Sequence, residues 1–298
     1  MESRCLVMLL TWLVGASALG CTLLVDPSEA NSACNKDTDC AGGQVCRSPH
    51  CVPWNEASEG EGEGSEGEGQ EIVWIALPGG TFQMGSATAS NEQPVHPVTI
   101  PGFEVMKTEV TVGMIQTCRA GGGCSNEPDT GGSCNWGVAG RELHPVNCID
   151  WDQARDFAAW VGEGARLCSE AEWEYVARSG DHVRTYPWGD QAATCGHAVY
   201  SDCNCNGGTC PVCDKTDGDS AQGVCDLAGN VGEWVEDWWH DTYVDAPSNG
   251  SAWVSPAGSS RVRRGGSWSV GADLLRASYR GVDTPDYRGV YLGARLCR

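Results

Sequence analysis

The sequence predicts an α+β domain of short strands, few helices and long loops, held together by disulfide bonds. Three observations predict it. Two stretches carry complete N-terminal helix signatures, while the remaining apolar runs are short and broken by Gly, Pro, Asp and Ser. The 298 residues include 18 Cys and 40 Gly, which suits a loop-rich fold that needs covalent staples. Thirteen Trp against three Phe suggests large rings, each with one polar N–H, filling the gaps between irregular segments.

The elements follow in chain order. Arg4 precedes an apolar run from Leu6 to Ala18, too short to span a bilayer, and small residues follow it. Residues 1–20 therefore read as an export signal. Its end, Ala18-Leu19-Gly20-Cys21, resembles a bacterial lipobox, with Cys21 as the lipidated residue. With Cys5 removed and Cys21 acylated, sixteen cysteines remain, an even number as eight disulfides require. The expected location is outside the cytoplasm, at the outer membrane or cell surface, with membrane contact through the lipid anchor only.

Residues 21–56 hold the lipidated terminus and a small Cys-rich module, Cys34, Cys40, Cys46 and Cys51, with turn residues between them. So small a unit cannot bury a core, and two disulfides are expected to hold it, with zinc as the rival reading. Residues 57–70 are dominated by alternating Glu and Gly. Gly supplies flexibility and the charges repel, so this linker reads as an extended tether of about 20 Å or more. Its neighbourhood holds seven glutamates (Glu56, Glu59, Glu61, Glu63, Glu66, Glu68 and Glu71), a large share of the formal net charge of −21. That charge argues against nucleic acid and against attraction to anionic membrane surfaces.

The main domain is expected over 71–298. Ile72–Ile75 and Gly79–Gly85 read as two strands joined by a Pro-Gly-Gly turn, and 95–100 and 103–112 as further strands. Asp150 caps a helix whose Trp151, Ala154, Phe157, Ala158 and Val161 share one face. Ser169-Glu170-Ala171-Glu172 is a capping box, followed by Trp173, Val176 and Ala177 on one side. Beyond Gly180 regular structure is expected to be sparse. The spacing of Cys203, Cys205, Cys210 and Cys213 suits zinc or disulfides, and an exported chain with even cysteines favours disulfides. Trp238, Trp239, His240 and Tyr243 read as core filling or as a sugar-stacking surface.

Seven motifs then appear in a fixed succession: Gly79-Gly80-Thr81-Phe82-Gln83-Met84-Gly85; His144-Pro145-Val146; Arg166-Leu167-Cys168-Ser169-Glu170-Ala171-Glu172-Trp173-Glu174-Tyr175; Tyr186-Pro187-Trp188-Gly189; Asp226-Leu227-Ala228-Gly229-Asn230-Val231-Gly232-Glu233-Trp234; Arg264-Gly265-Gly266-Ser267-Trp268; and Leu292-Gly293-Ala294-Arg295. This succession resembles the sulfatase-modifying-factor, or formylglycine-generating enzyme, family over about 71–298. The resemblance implies a complex fold related to C-type lectins. It also implies calcium held by the side chains of Asp226 and Glu233 and the carbonyls of Gly229 and Val231, oxygen donors that suit this ion. By the same resemblance Cys168 is expected to pair with Cys297, and the buried-arginine strand of such proteins falls on Arg261, Arg263 and Arg264.

Enzymes of that family use two cysteines, shortly after the Arg-Gly-Gly-Ser motif, to bind copper(I) and engage a substrate cysteine. This chain departs from the pattern. No Cys lies between Cys225 and Cys297, and the segment after Ser267 offers neither His nor Met. Gly232 also stands where the family usually carries a Trp that can line the substrate groove. The iron-dependent relatives need a His-rich site and a helical partner domain, and the six His here are scattered. The expectation is a non-catalytic module that takes up no copper. Its groove, near Ser267 and Trp268, would bind a protein, peptide or glycan; oxidation of a protein cysteine to formylglycine is the alternative.

Overall fold

The computed structural model describes residues 44–47, 50–53 and 71–298. The export signal, Cys21 and the 57–70 linker lie outside the described residues. Strands β1 (Gln44–Arg47) and β2 (His50–Pro53) form an antiparallel hairpin that sets Cys46 opposite Cys51 in register. The hairpin belongs to a unit separate from the main body.

In the main body, β3 (Trp74–Leu77) pairs antiparallel with β6 (Phe103–Met106), and β4 (Gly80–Met84) pairs with β5 (His96–Ile100). The strands flanking the Pro-Gly-Gly turn are thus both present, but each pairs elsewhere: the turn leads from one sheet into another. Gly79 makes this passage at φ +75, where an added Cβ would lie 2.3 Å from the Ile100 carbonyl oxygen.

The expectation of a strand through Val112 is corrected after β6. Thr111 caps helix α1 (Val112–Ala120), its hydroxyl accepting from the Met114 amide at 3.2 Å. Val112, Met114, Ile115 and Cys118 bury one face of that helix. The two helices expected from their caps are both present as α2 (Trp151–Val161) and α3 (Glu170–Ala177), and each has a reciprocal capping box, Asp150 with Gln153 and Ser169 with Glu172.

Regular structure past Gly180 exceeds the expectation. Strands β8 (Gly232–Trp238), β9 (Arg261–Arg264), β10 (Gly281–Asp283) and β11 (Leu292–Ala294) form one sheet in the order β10-β9-β8-β11. A second sheet has the order β3-β6-β12-β7, with β7 at Arg166–Leu167 and β12 at Leu296–Cys297. The C-terminal strands therefore enter both sheets, β11 running parallel beside β8 and β12 lying between β6 and β7. Arg295, at the step between them, is 1% exposed.

Helix α3 is buried on every side. Its three glutamates cannot stay charged there without partners, and arginines supply them, Arg264 and Arg280 from distant segments and Arg166 and Arg178 from close by. Glu170 receives Arg280 Nε at 2.6 Å and Nη2 at 2.9 Å, Glu172 receives both Arg166 Nη groups at 2.7 Å, and Glu174 receives Arg264 Nη2 at 2.5 Å and Arg178 Nε at 2.8 Å. Burial pushes the Glu170 carboxyl up, but the Arg280 and Arg264 guanidinium groups more than offset this and hold it below its ordinary value.

All twelve cysteines between 71 and 298 are paired: Cys118–Cys124, Cys134–Cys148, Cys168–Cys297, Cys195–Cys203, Cys205–Cys210 and Cys213–Cys225. The Cys203–Cys213 cluster is thus a disulfide knot rather than a zinc site, and the Cys168–Cys297 pairing stands as expected.

Candidate functional site

Three motif segments converge where β8 begins. The turn before β8 is tight because Gly229 (φ +97) lies against the 199 backbone, and an added Cβ would meet the Val199 carbonyl oxygen at 2.3 Å. Asn230, at φ 54, then fastens the neighbouring segments. Its Oδ1 accepts from the Cys210 amide at 3.0 Å, its Nδ2 donates to Glu109 Oε2 at 2.7 Å, and its carbonyl accepts from the Trp268 amide at 2.8 Å. Gly232 follows, its amide donating to the Tyr291 carbonyl at 2.7 Å, and a Cβ there would sit 3.1 Å from the Gly266 oxygen.

Glu233 and Asp226 face a common buried cation. Arg295 Nη2 lies 2.7 Å from Glu233 Oε1, and Trp173 Nε1 donates to Glu233 Oε2 at 2.6 Å. Asp226 Oδ2 accepts from the Cys213 amide at 2.6 Å; burial pushes its pKa up to about 6 despite that bond. Glu109, missed in the sequence, is wholly buried beside them and accepts from the Val231 amide at 3.0 Å; burial, with Asp226 and Glu233 nearby, raises its pKa well above the ordinary value. Asp219, also missed, has its Oδ1 buried without a hydrogen-bond partner, and it acts on Asp226 electrostatically. Four carboxylates thus share the field of Arg295, with Lys107 acting on Asp219. The donors are all oxygen, one of them orphaned, and the acids outnumber the bases. Oxygen donors suit a hard cation, but the orphaned oxygen is on Asp219. Both Glu233 oxygens accept from Arg295 and Trp173, and Asp226 Oδ2 accepts from the Cys213 amide. An ion on Asp226, Glu233 and the 229 and 231 carbonyls would have to displace these contacts.

The expected groove residues are placed differently from one another. Ser267 is 1% exposed, its Oγ 3.1 Å from Ser269 Oγ. Trp268 is half-buried, and its Nε1 donates to the Val290 carbonyl at 3.1 Å. Beyond them the chain turns aliphatic. Leu275 is fully buried in a small cluster with Ala198, Tyr200 and Ala228, and Val270, Tyr186 and Trp188 pack against it. A copper(I) site does not fit here, because the segment holds no sulfur or imidazole ligand and every cysteine of the main body is in a disulfide.

The arginine run serves structure. Arg264 is buried on Glu174, Arg263 pairs with Asp283 at 2.6 Å, and Arg261 lies between the rings of Trp238 (3.3 Å) and Trp151 (3.6 Å). Burial pulls the Arg261 pKa down to about 10. Tyr243 is core, its hydroxyl donating to Glu170 Oε1 at 3.0 Å. His240 stacks on Trp253 at 3.6 Å, at the edge of an open cleft of about 370 Å³ that also includes Asp241 and Asp245.

Residues 62–298 match the family described as the sulfatase-modifying factor enzyme 1-like domain. The chain is 30% identical over 281 residues to the formylglycine-generating enzyme of Streptomyces coelicolor, a match covering 74% of this chain and 87% of that enzyme. It is 31% identical over 242 residues to the hercynine oxygenase of Mycolicibacterium thermoresistibile, covering 69% of this chain but only 53% of that protein. Among solved structures, PvdO from Pseudomonas aeruginosa superimposes with a TM-score of 0.66 at 32% identity, covering 76% of this chain and 93% of PvdO.

Proposed function

The chain belongs to the sulfatase-modifying-factor family, and from that premise we propose that it is a binding member of the family rather than an oxidase. The observation that carries the reading is the state of the cysteines. A formylglycine-generating site of the kind the resemblance implies needs two free thiolates, and all twelve cysteines of the main body are tied in pairs. The segment after Ser267 is committed to apolar packing through Leu275 and offers no substitute ligand.

By the resemblance, the same reading extends to a calcium ion on Asp226, Glu233 and the carbonyls of Gly229 and Val231, where it would replace the Arg295 and Trp173 contacts of Glu233 and hold the turn into β8. The partner is a protein, peptide or glycan, not nucleic acid, met at the cell envelope by a chain exported through residues 1–20 and anchored by a lipid on Cys21. The alternative, a formylglycine-generating oxidase, draws on the likeness to the Streptomyces coelicolor enzyme.

The test is elemental analysis of the purified chain after copper(I) loading, beside mass spectrometry of a Cys-containing sulfatase peptide incubated with it. About one calcium per chain, no stoichiometric copper and an unchanged peptide are expected. Stoichiometric copper with peptide conversion would establish the oxidase instead. Absence of calcium would remove the metal assignment alone.

A further inference from the structure

We propose that the open cleft beside the end of β4 binds a peptide carboxylate set next to an aliphatic side chain, with Arg184 as its counter-charge. The proposal deepens the binding reading above and rests on it. The cleft has a volume of about 500 Å³, within the range of ligand pockets and far larger than a lone carboxylate.

Three arginines line it, and two are committed. Arg178 lies 2.8 Å from Glu174, and Arg276 donates to both oxygens of Glu92 at 2.8 and 2.9 Å. Arg184 is different. Its Nη1 donates to the Pro187 carbonyl at 3.2 Å, and no carboxylate among the described residues lies within 4 Å of it. A guanidinium carries five N–H donors, so most of this one's capacity is unused. Asp190, the acid lining the same cleft, interacts with Arg184 only through space, and its carboxylate accepts from the amide and hydroxyl of Thr185, both at 2.8 Å.

Such a guanidinium matches a carboxylate in a charge-assisted, forked pair. The apolar part of the ligand is specified by the rim, where Val183 is 81% exposed and Val95 47%. Covering these side chains removes apolar surface from water, which a free small acid would do poorly. Two other clefts among the described residues lack this chemistry: Asp241 and Asp245 line one with no arginine, and in the second Arg166 already serves Glu172.

The experiment follows amide shifts of the isotopically labelled chain titrated with acetyl-Gly-Val-Glu-Gly-amide, its Gln analogue and sodium propionate. The Glu peptide should perturb residues 83–88 and 183–185, and bind about tenfold more tightly than the Gln peptide or propionate. Arg184→Gln should abolish the Glu-over-Gln preference. Val183→Ser, at a site too exposed to disturb folding, should weaken both peptides while keeping the preference. Equal binding of the two peptides, a preference that survives Arg184→Gln, or perturbations centred elsewhere would overturn the proposal. Propionate binding as tightly as the Glu peptide would also overturn it, in favour of a free acid. Each of these failures would leave the non-oxidase reading intact, since copper uptake and peptide conversion are measured separately.

Discussion

At the scale of single residues, His144 shows how burial decides chemistry. The ring is 8% exposed; its Nδ1 lies 3.0 Å from Arg141 Nη1 and 2.9 Å from Thr209 Oγ1. Burial, reinforced by Arg141, lowers its pKa to about 4, while Thr209, Asp214 and Glu142 oppose this more weakly. The native ring therefore stays neutral where an unfolded one, with a pKa near 6.5, takes a proton. Stability from this residue is fully present above pH 6.5 and is lost as pH falls toward 4. Melting temperature against pH should fall across that window in the parent protein and fall less in His144→Gln; identical slopes would exclude His144 as the source. The sequence marked His144 within a motif, but nothing in it told of Thr209, which is 65 residues away and brought close only by the fold.

Among elements, helix α3 shows what local signals can and cannot say. Its start was legible, because Ser169 and Glu172 satisfy each other's backbone within four residues. The Ser169 hydroxyl does more than cap: it accepts from the Glu172 amide at 3.0 Å and donates to the Gly250 carbonyl at 2.8 Å. Ser169→Ala should cost about 1–2 kcal/mol in denaturant unfolding, the cap and a buried hydrogen bond together, and Ser169→Thr distinctly less. Equal losses in the two variants would show that the hydroxyl is not the cause. Helix α1 was illegible for the opposite reason. Thr108-Glu109-Val110-Thr111-Val112 reads as a β-branched strand, yet Thr111 turns the chain into a helix whose apolar face packs under Ile149 and Trp151.

For the whole molecule, the C-terminus is the join. Strands β11 and β12 enter both sheets, Arg295 between them meets Glu233, and Cys297 ties β12 to Cys168 beside β7. That disulfide closes a sequence separation of 129, against 5 for Cys205–Cys210. Chain-entropy reasoning assigns about 5 kcal/mol to the first and about 2 to the second. The double variant Cys168→Ala/Cys297→Ala should therefore melt well below Cys205→Ala/Cys210→Ala, as read by calorimetry. The reverse order would mean that the small knot, not the long closure, holds the domain.

By itself the sequence determined the fold class, the two self-capped helices, the family through its ordered motifs, and the absence of sulfur or imidazole ligands in the 268–276 segment. Each of these rests on residues close together in the chain or on composition, which no folding can change. Only the tertiary structure decided that the Pro-Gly-Gly turn joins two sheets, that Glu109 and Asp219 stand with Asp226 and Glu233, that Glu170 and Glu174 find arginines 110 and 90 residues away, and that Arg184 lines an open cleft without a carboxylate in direct contact. The physical reason is distance along the chain: strand partners, shared electrostatic fields and free space arise between segments far apart in sequence. No local propensity encodes them.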